Sequence, residues 1–228
     1  MNKAQEIELV KRYSPYICFD ENEPFFPVKV GYTIFNKPGV SKSFNRKIEF
    51  TDDLVDLAIE YAIYWDFDIQ HLYELEHVWV YIDKNWKLRD GEASFHGRYF
   101  KALLKDKSNI EDETHILVYS QPGKHAFLPR PEYFELIPDL QTATYNNAGN
   151  SGLIVTDIFK SIYETNEDIN KMVEQYLKKF KFIPSMKFKK YSMPDDIFIT
   201  WDDLFVEIPQ RIADNLEEIK KCTDFFLP

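Results

Sequence analysis

A chain of 228 residues with 44% hydrophobic and 16% aromatic residues can build one large core, which excludes a disordered chain. Seven glycines and no repeat of fixed period exclude collagen-like and solenoid designs. The formal charge of −10 excludes a general nucleic-acid-binding face, disfavours an anionic membrane surface and is compatible with binding cations.

The opening residues, MNKAQEIELVKRYSPY, lack the apolar centre of a signal peptide. No apolar run approaches the roughly 18 residues that span a bilayer, so a soluble, cytoplasmic protein without a membrane span is expected. Cys18 and Cys222 lie at opposite ends of the chain and are expected as reduced thiols.

In chain order, AQEIELVKRY reads as an amphipathic helix with Ile7, Val10 and Lys11 at helical spacing, stopped before Pro15. Tyr16–Phe19 and Val28–Phe35 are β-rich, and Pro24 and Pro27 break any helix between them. A loop with Asn36, Pro38 and Gly39 follows. Residues 59–83 carry two strands joined by the polar stretch DIQHLYE, and a turn at Asp83–Asn85 leads into a third strand ending near Gly97. Ile116–Ser120 is a fourth, closed by the loop Gln121–Lys124.

Past a break at Pro131–Pro138 the pattern changes. Thr165–Asp168 forms an acidic variant of a capping box, and Ile169, Met172, Val173, Tyr176, Leu177 and Phe180 follow at helical spacing. A last helix is expected with Pro209 in its first turn, burying Ile212, Leu216 and Ile219. Closely spaced strands without intervening helices predict an α+β protein with an antiparallel β-sandwich core. The expectation is a single domain over 1–228, β-rich over about 14–130 and helical over about 155–228.

The stretch WDFDIQHLYELEHVWVY, residues 65–81, concentrates carboxylates and imidazoles in a strand-forming segment. Strand alternation points Tyr64, Asp66 and Asp68 one way and Trp65 and Phe67 the other. On the second strand Glu74, Glu76, Val78 and Val80 share a face opposite His77, Trp79 and Tyr81. Paired as neighbours, the strands bring Asp66 or Asp68 beside Glu74 or Glu76, with His71 at the joint.

Clustered carboxylates need neutralising, and no basic residue occurs between Ile48 and Asp83. A divalent cation (Mg²⁺, Ca²⁺ or Mn²⁺) held by Asp66, Asp68, His71, Glu74 and Glu76 is one reading, because oxygen ligands with an imidazole suit these ions. The other readings are a solvated polar face and pairing with distant Arg98 or Lys124.

His96, on a strand face with Glu92 and Ser94, and His125, across a Pro-Gly turn from Ser120, are candidate acid–base groups nearby. A triad of Ser94 or Ser120, His96 or His125, and Glu76 lacks the Gly-x-Ser-x-Gly elbow. Lys178, Lys179, Lys181, Lys187, Lys189 and Lys190 form a basic patch that reads as a solvated helix end, and NNAGNSG at 146–152 reads as a turn.

The line QHLYELEHVWVY resembles the Gly-His-Arg-His-Asp-Trp-Glu heptapeptide and following histidine of the necrosis- and ethylene-inducing (Nep1-like) protein family. On that resemblance His71 matches the first histidine, Glu74 the aspartate, Glu76 the glutamate and His77 the later histidine. Gln70 replaces the glycine and Tyr73 the second histidine. The resemblance implies a β-sandwich whose divalent cation is bound by His71, Glu74, Glu76 and an upstream aspartate, here Asp66 or Asp68.

YSQPGKHA is also similar to a Tyr-Ser-x-x-Gly-x-His-Ala stretch of proteins related to the yeast vacuolar sorting protein Vps62. Metal-assisted hydrolysis is the enzymatic expectation. The alternatives are a non-enzymatic module for a small-molecule, carbohydrate or lipid-headgroup ligand, and a purely structural acidic cluster.

Overall fold

The computed structural model describes residues 1–50 and 52–224. In chain order the strands are β1 (Tyr16–Asp20), β2 (Lys29–Phe35), β3 (Gly39–Val40), β4 (Lys47–Ile48), β5 (Val55–Phe67), β6 (His71–Asp83) and β7 (Leu88–Phe95). They continue with β8 (Arg98–Lys101), β9 (Ile110–Glu111), β10 (His115–Ser120), β11 (Phe127–Leu128), β12 (Gly152–Leu153), β13 (Phe188–Tyr191) and β14 (Phe198–Thr200). The helices are α1 (Lys3–Tyr13), α2 (Leu140–Thr144), α3 (Glu167–Leu177) and α4 (Trp201–Asp224).

One sheet runs β14-β2-β5-β6-β7-β8, with β12 beside β6, and the other runs β11-β10-β1-β13, with β9 beside β10. Their facing sides share one core: Ile63, Trp65, Val78 and Val80 from the first meet Ile17, Phe19, Ile116 and Phe127 from the second. The α+β class with a sheet core is as expected from the strand pattern. The central ladder from β2 to β8 is antiparallel, whereas β1 with β10, β2 with β14 and β6 with β12 pair in parallel.

The helical third also supplies strands. β13 pairs with β1 and β14 with β2, so residues after the Pro131–Pro138 break complete both sheets. α4 lies over β2 and β5 with Leu204, Ile208, Ile212 and Ile219 buried. It begins at Trp201, so Pro209 sits inside it and not in its first turn. The start signal is Thr200, whose hydroxyl accepts from the Asp203 N–H at 3.2 Å and donates to the Asp203 carboxylate at 2.7 Å, an N-cap contact that outweighs the proline.

For α3 the cap is Asn166, accepting from the Ile169 N–H, and Thr165 instead bonds Asn170. The expected third strand is split: Phe95 pairs with Arg98 around His96 and Gly97, both at positive φ (49° and 76°), as a two-residue primed hairpin turn requires. Three lysines of the basic patch are paired, Lys178 with Glu174, Lys189 with Glu21 and Lys190 with Glu111. Cys18 is buried and Cys222 exposed, both free.

The joint between β5 and β6 is only Asp68–Gln70, shorter than the sequence pattern suggests, and two loops grip it. Ile69 donates to the Gly123 carbonyl at 2.9 Å and accepts from the Gly149 N–H at 2.9 Å, while Ser151 donates to the Gln70 carbonyl at 2.9 Å. Gly149 has φ +78°, and a Cβ there would lie 2.6 Å from the Glu174 backbone of α3, so glycine is required for this docking. The stretch 146–152 is thus a fixed clamp on the joint.

Candidate metal centre

β5 stops at Phe67, so alternation no longer dictates where Asp68 points. Its N–H donates to the His71 carbonyl at 2.9 Å and its Oδ1 accepts from the Gln70 N–H at 2.7 Å, a local turn that folds the carboxylate inward. Asp68 is fully buried, and its Oδ2 has no hydrogen-bond partner among the described residues. Burial opposes ionisation, but His71, Lys124 and His125 together hold the carboxyl below its usual range.

A regular strand would send His71 and Glu74 to opposite faces. Between them Tyr73 takes a left-handed conformation (φ 55°), and the two side chains meet, His71 Nε2 lying 3.5 Å from Glu74 Oε2 and 3.5 Å from Asp68 Oδ1. Such a conformation costs about 1 kcal/mol or more for a non-glycine residue. Nδ1 of His71 bonds the Tyr73 carbonyl at 2.8 Å. That contact requires the proton on Nδ1, so whenever the ring is neutral its Nε2 lone pair faces the carboxylates, the arrangement found behind imidazole metal ligands.

Asp68, His71 and Glu74 each offer one ligand atom within 4.8 Å of the others, and the group can hold a metal ion. Two carboxylates and an imidazole make a donor set suited to divalent cations, and the partnerless buried Oδ2 of Asp68 fits one more positive neighbour. Lys124 reaches the same place, its Nζ lying 2.6 Å from Asp68 Oδ1 and 3.3 Å from His71 Nε2. Of the two distant bases considered from sequence, Lys124 is the one at the cluster.

Glu76 borders the group on the Glu74 side. It is 4% exposed, and its carboxyl is pushed up to about 8, first by burial and then by the Glu74 charge. The Ser94 hydroxyl, which donates to Glu76 Oε2, only partly offsets this.

Asp66 is elsewhere. Register pairs Trp65 with Glu74 and Ile63 with Glu76, so Asp66 projects from the other face of the sheet. There Arg211 of α4 grips both its oxygens, at 3.0 and 2.7 Å. Nothing in the β5–β6 sequence signals this partner, 145 residues away.

The two candidate acid–base histidines also separate. His96 is exposed in the β7–β8 turn, with Nε2 2.8 Å from Gln121 Oε1. His125 is fully buried, stacked on Trp65 with centroids 4.6 Å apart, its Nε2 3.3 Å from Glu23. No hydrogen bond joins Ser94 or Ser120 to either histidine among the described residues, so the Ser-His-Glu triad is not assembled.

On the outer face lies a buried network that the sequence reading missed. His77 Nε2 contacts Ser43 Oγ at 3.0 Å, Ser43 donates to Glu60 at 2.8 Å, and Trp79 Nε1 donates to the same carboxylate at 2.7 Å. Burial, with Arg46 adding to it, drops the His77 imidazole to about 3. The Ser43 loop has no motif that would have disclosed this contact.

On its edge away from β5, β6 has no neighbouring strand between β12 and the start of β7 pairing, and side chains bond there: the Leu75 N–H to Glu74 and the His77 N–H to Ser94. A cleft of about 380 Å³ opens at this gap, lined among others by Tyr73, Glu74, Glu76, His77, His96 and Thr156. A second cleft of about 310 Å³ lies beyond His96 and includes Gln70, Gln121, Lys124 and Asp139. No helix among the described residues is long and apolar enough to cross a membrane.

No protein-family model matches the chain, and no curated protein does. Among solved structures, the crystal structure of an NLPPya mutant, a Nep1-like protein, is similar over 53% of this chain and 70% of its own, at 19% identity and a TM-score of 0.35.

Proposed function

We propose that residues 1–228 form one domain that binds Mg²⁺, Ca²⁺ or Mn²⁺ through Asp68, His71 and Glu74, with Glu76 at the border. The cation would face the cleft of about 380 Å³ and anchor the oxygen atoms of a small ligand, such as a carbohydrate or lipid headgroup. The observation that carries this reading is the buried, partnerless Oδ2 of Asp68 beside the oriented Nε2 of His71. A carboxylate oxygen buried without a donor carries a desolvation cost that a bound cation would remove.

Metal-assisted hydrolysis is the second reading, favoured by Glu76. Its carboxyl is raised to about 8 in the cation-free protein, and a bound cation would draw it down again, leaving Glu76 ionised beside the group to take a proton from an attacking water. A bound cation would supply Lewis-acid assistance there. His96, at the rim of the same cleft, is placed to exchange that proton with solvent, whereas His125 is too enclosed for that part.

Calorimetric titration of chelator-treated, dialysed protein with Mn²⁺ is expected to give one cation per chain. Excess cation should raise the melting temperature, and chelator should reverse the rise; at a hundred times Kd the stabilisation is about 2.7 kcal/mol. Absence of heat and an unmoved melting curve with all three cations would overturn the reading.

A further inference from the structure

We propose that Lys124 is a displaceable internal cation: its ammonium fills the candidate metal centre in the cation-free protein and swings into the neighbouring cleft when a divalent cation enters. This rests on the cation reading above and goes beyond it by naming what the incoming ion competes with.

Three observations carry it. First, Lys124 Nζ contacts the two groups a cation would use, Asp68 Oδ1 at 2.6 Å and His71 Nε2 at 3.3 Å. The His71 lone pair can accept from an ammonium or bind a metal ion, and cannot do both. A lysine charge and a divalent charge within one contact distance repel strongly in a buried setting, so the two states exclude each other.

Second, the backbone around Lys124 is pinned while its side chain has somewhere to go. Gly123 is bonded to Ile69, the Lys124 N–H to the Gln121 carbonyl, and His125 is stacked on Trp65. Displacement is therefore a rotation of one four-carbon stem, not a movement of the loop. The stem already lines the second cleft, of about 310 Å³.

Third, that cleft contains a landing place. Asp139 lines it, is exposed, and makes no capping hydrogen bond or ion pair among the described residues. In the displaced state the ammonium exchanges Asp68 for Asp139 and solvent, while the divalent ion takes Asp68, His71 and Glu74. Because the two positions share one charge, cation affinity is set by how readily Lys124 leaves, and any group that pairs with Lys124 in the second cleft strengthens cation binding by the same factor.

The test uses the full chain and two readouts. Lysine acylation of the wild-type protein, mapped by peptide mass, should find Lys124 protected without metal and at least fivefold more reactive in saturating Mn²⁺. Lys124→Met should bind Mn²⁺ at least tenfold more tightly than wild type by calorimetry, with Lys124→Gln as the second variant if the methionine protein folds poorly. Asp139→Asn should weaken Mn²⁺ binding several-fold, and unchanged affinity would remove the landing place.

Mn²⁺ binding by wild type with Lys124 still protected would overturn the displacement alone, as would equal or weaker affinity in both Lys124 variants. If neither wild type nor variants bind Mn²⁺, both the displacement and the cation reading fall.

Discussion

Asp68→Asn is expected to weaken Mn²⁺ binding by about a hundredfold or more, at least the upper end of what losing a mere support to a metal ligand costs. The same change should destabilise the metal-free protein by about 2 kcal/mol, because the Lys124 ammonium loses its buried charged partner and turns toward the second cleft. The amide keeps the volume and can still accept from the Gln70 N–H, so the local turn survives and the loss reports charge.

Asp66→Asn is the informative contrast. It removes the two-point grip of Arg211 and should weaken the docking of α4 on the outer face, yet leave Mn²⁺ affinity within about twofold, since additivity holds for groups on opposite sides of a sheet. Urea melts and calorimetry on both variants check the pair. If affinity were lost with Asp66 and kept with Asp68, the ligand assignment would be reversed.

The second expected result is a plateau in stability against pH. In chelator-treated protein, His77 has a folded pKa of about 3 against 6.5 for the free side chain. The unfolded chain therefore binds more protons as pH falls through that range, and stability is fully present above 6.5 and lost toward 3. Glu76 acts in the opposite sense: its folded pKa of about 8 lies above the ordinary 4.5, so its contribution is present below 4.5 and lost as pH rises toward 8.

Each is worth a few kcal/mol, on the order of 1.4 kcal/mol per pH unit within its window. Between 4.5 and 6.5 the two slopes cancel, and stability should fall off on both sides. His77→Phe keeps a ring against Trp79 but cannot titrate, and its stability should decline steadily from pH 4.5 to 8. Glu76→Gln should instead rise steadily from about 3 to 6.5. Urea unfolding across that range checks both. Parallel curves for wild type and the two variants would show that neither group titrates as its burial requires.

The alternation of β6 was legible in its residues: Glu74, Glu76, Val78 and Val80 do share a face, because successive side chains of an extended strand point to opposite sides. Asp68 and Asp66 were not separable from sequence, since alternation extended past Phe67 predicts one face for both. The decision was made by the chain leaving the strand there, and by loops around Gly123 and Gly149 holding Ile69. The meeting of His71 with Glu74 was hidden for a related reason, because it depends on a left-handed tyrosine that no residue preference announces.

Long-range partners were the other blind spot. The absence of local basic residues around the cluster was correctly seen, yet Lys124 and Arg211 arrive from distant segments, and only topology brings them there. At α4 the helix start was readable in Thr200 and Asp203, but Pro209 drew the prediction eight positions too late because proline is usually a first-turn residue.

The pairing of β13 with β1 and of β14 with β2 has a consequence for biosynthesis. Both early strands leave the ribosome long before the strands that cover one of their edges exist, and each must wait with backbone donors and acceptors open while most of the chain is made. Neither sheet can reach its final width until residues 188–200 have been made, so the wait is an interval open to chaperones and to edge-to-edge association between nascent chains.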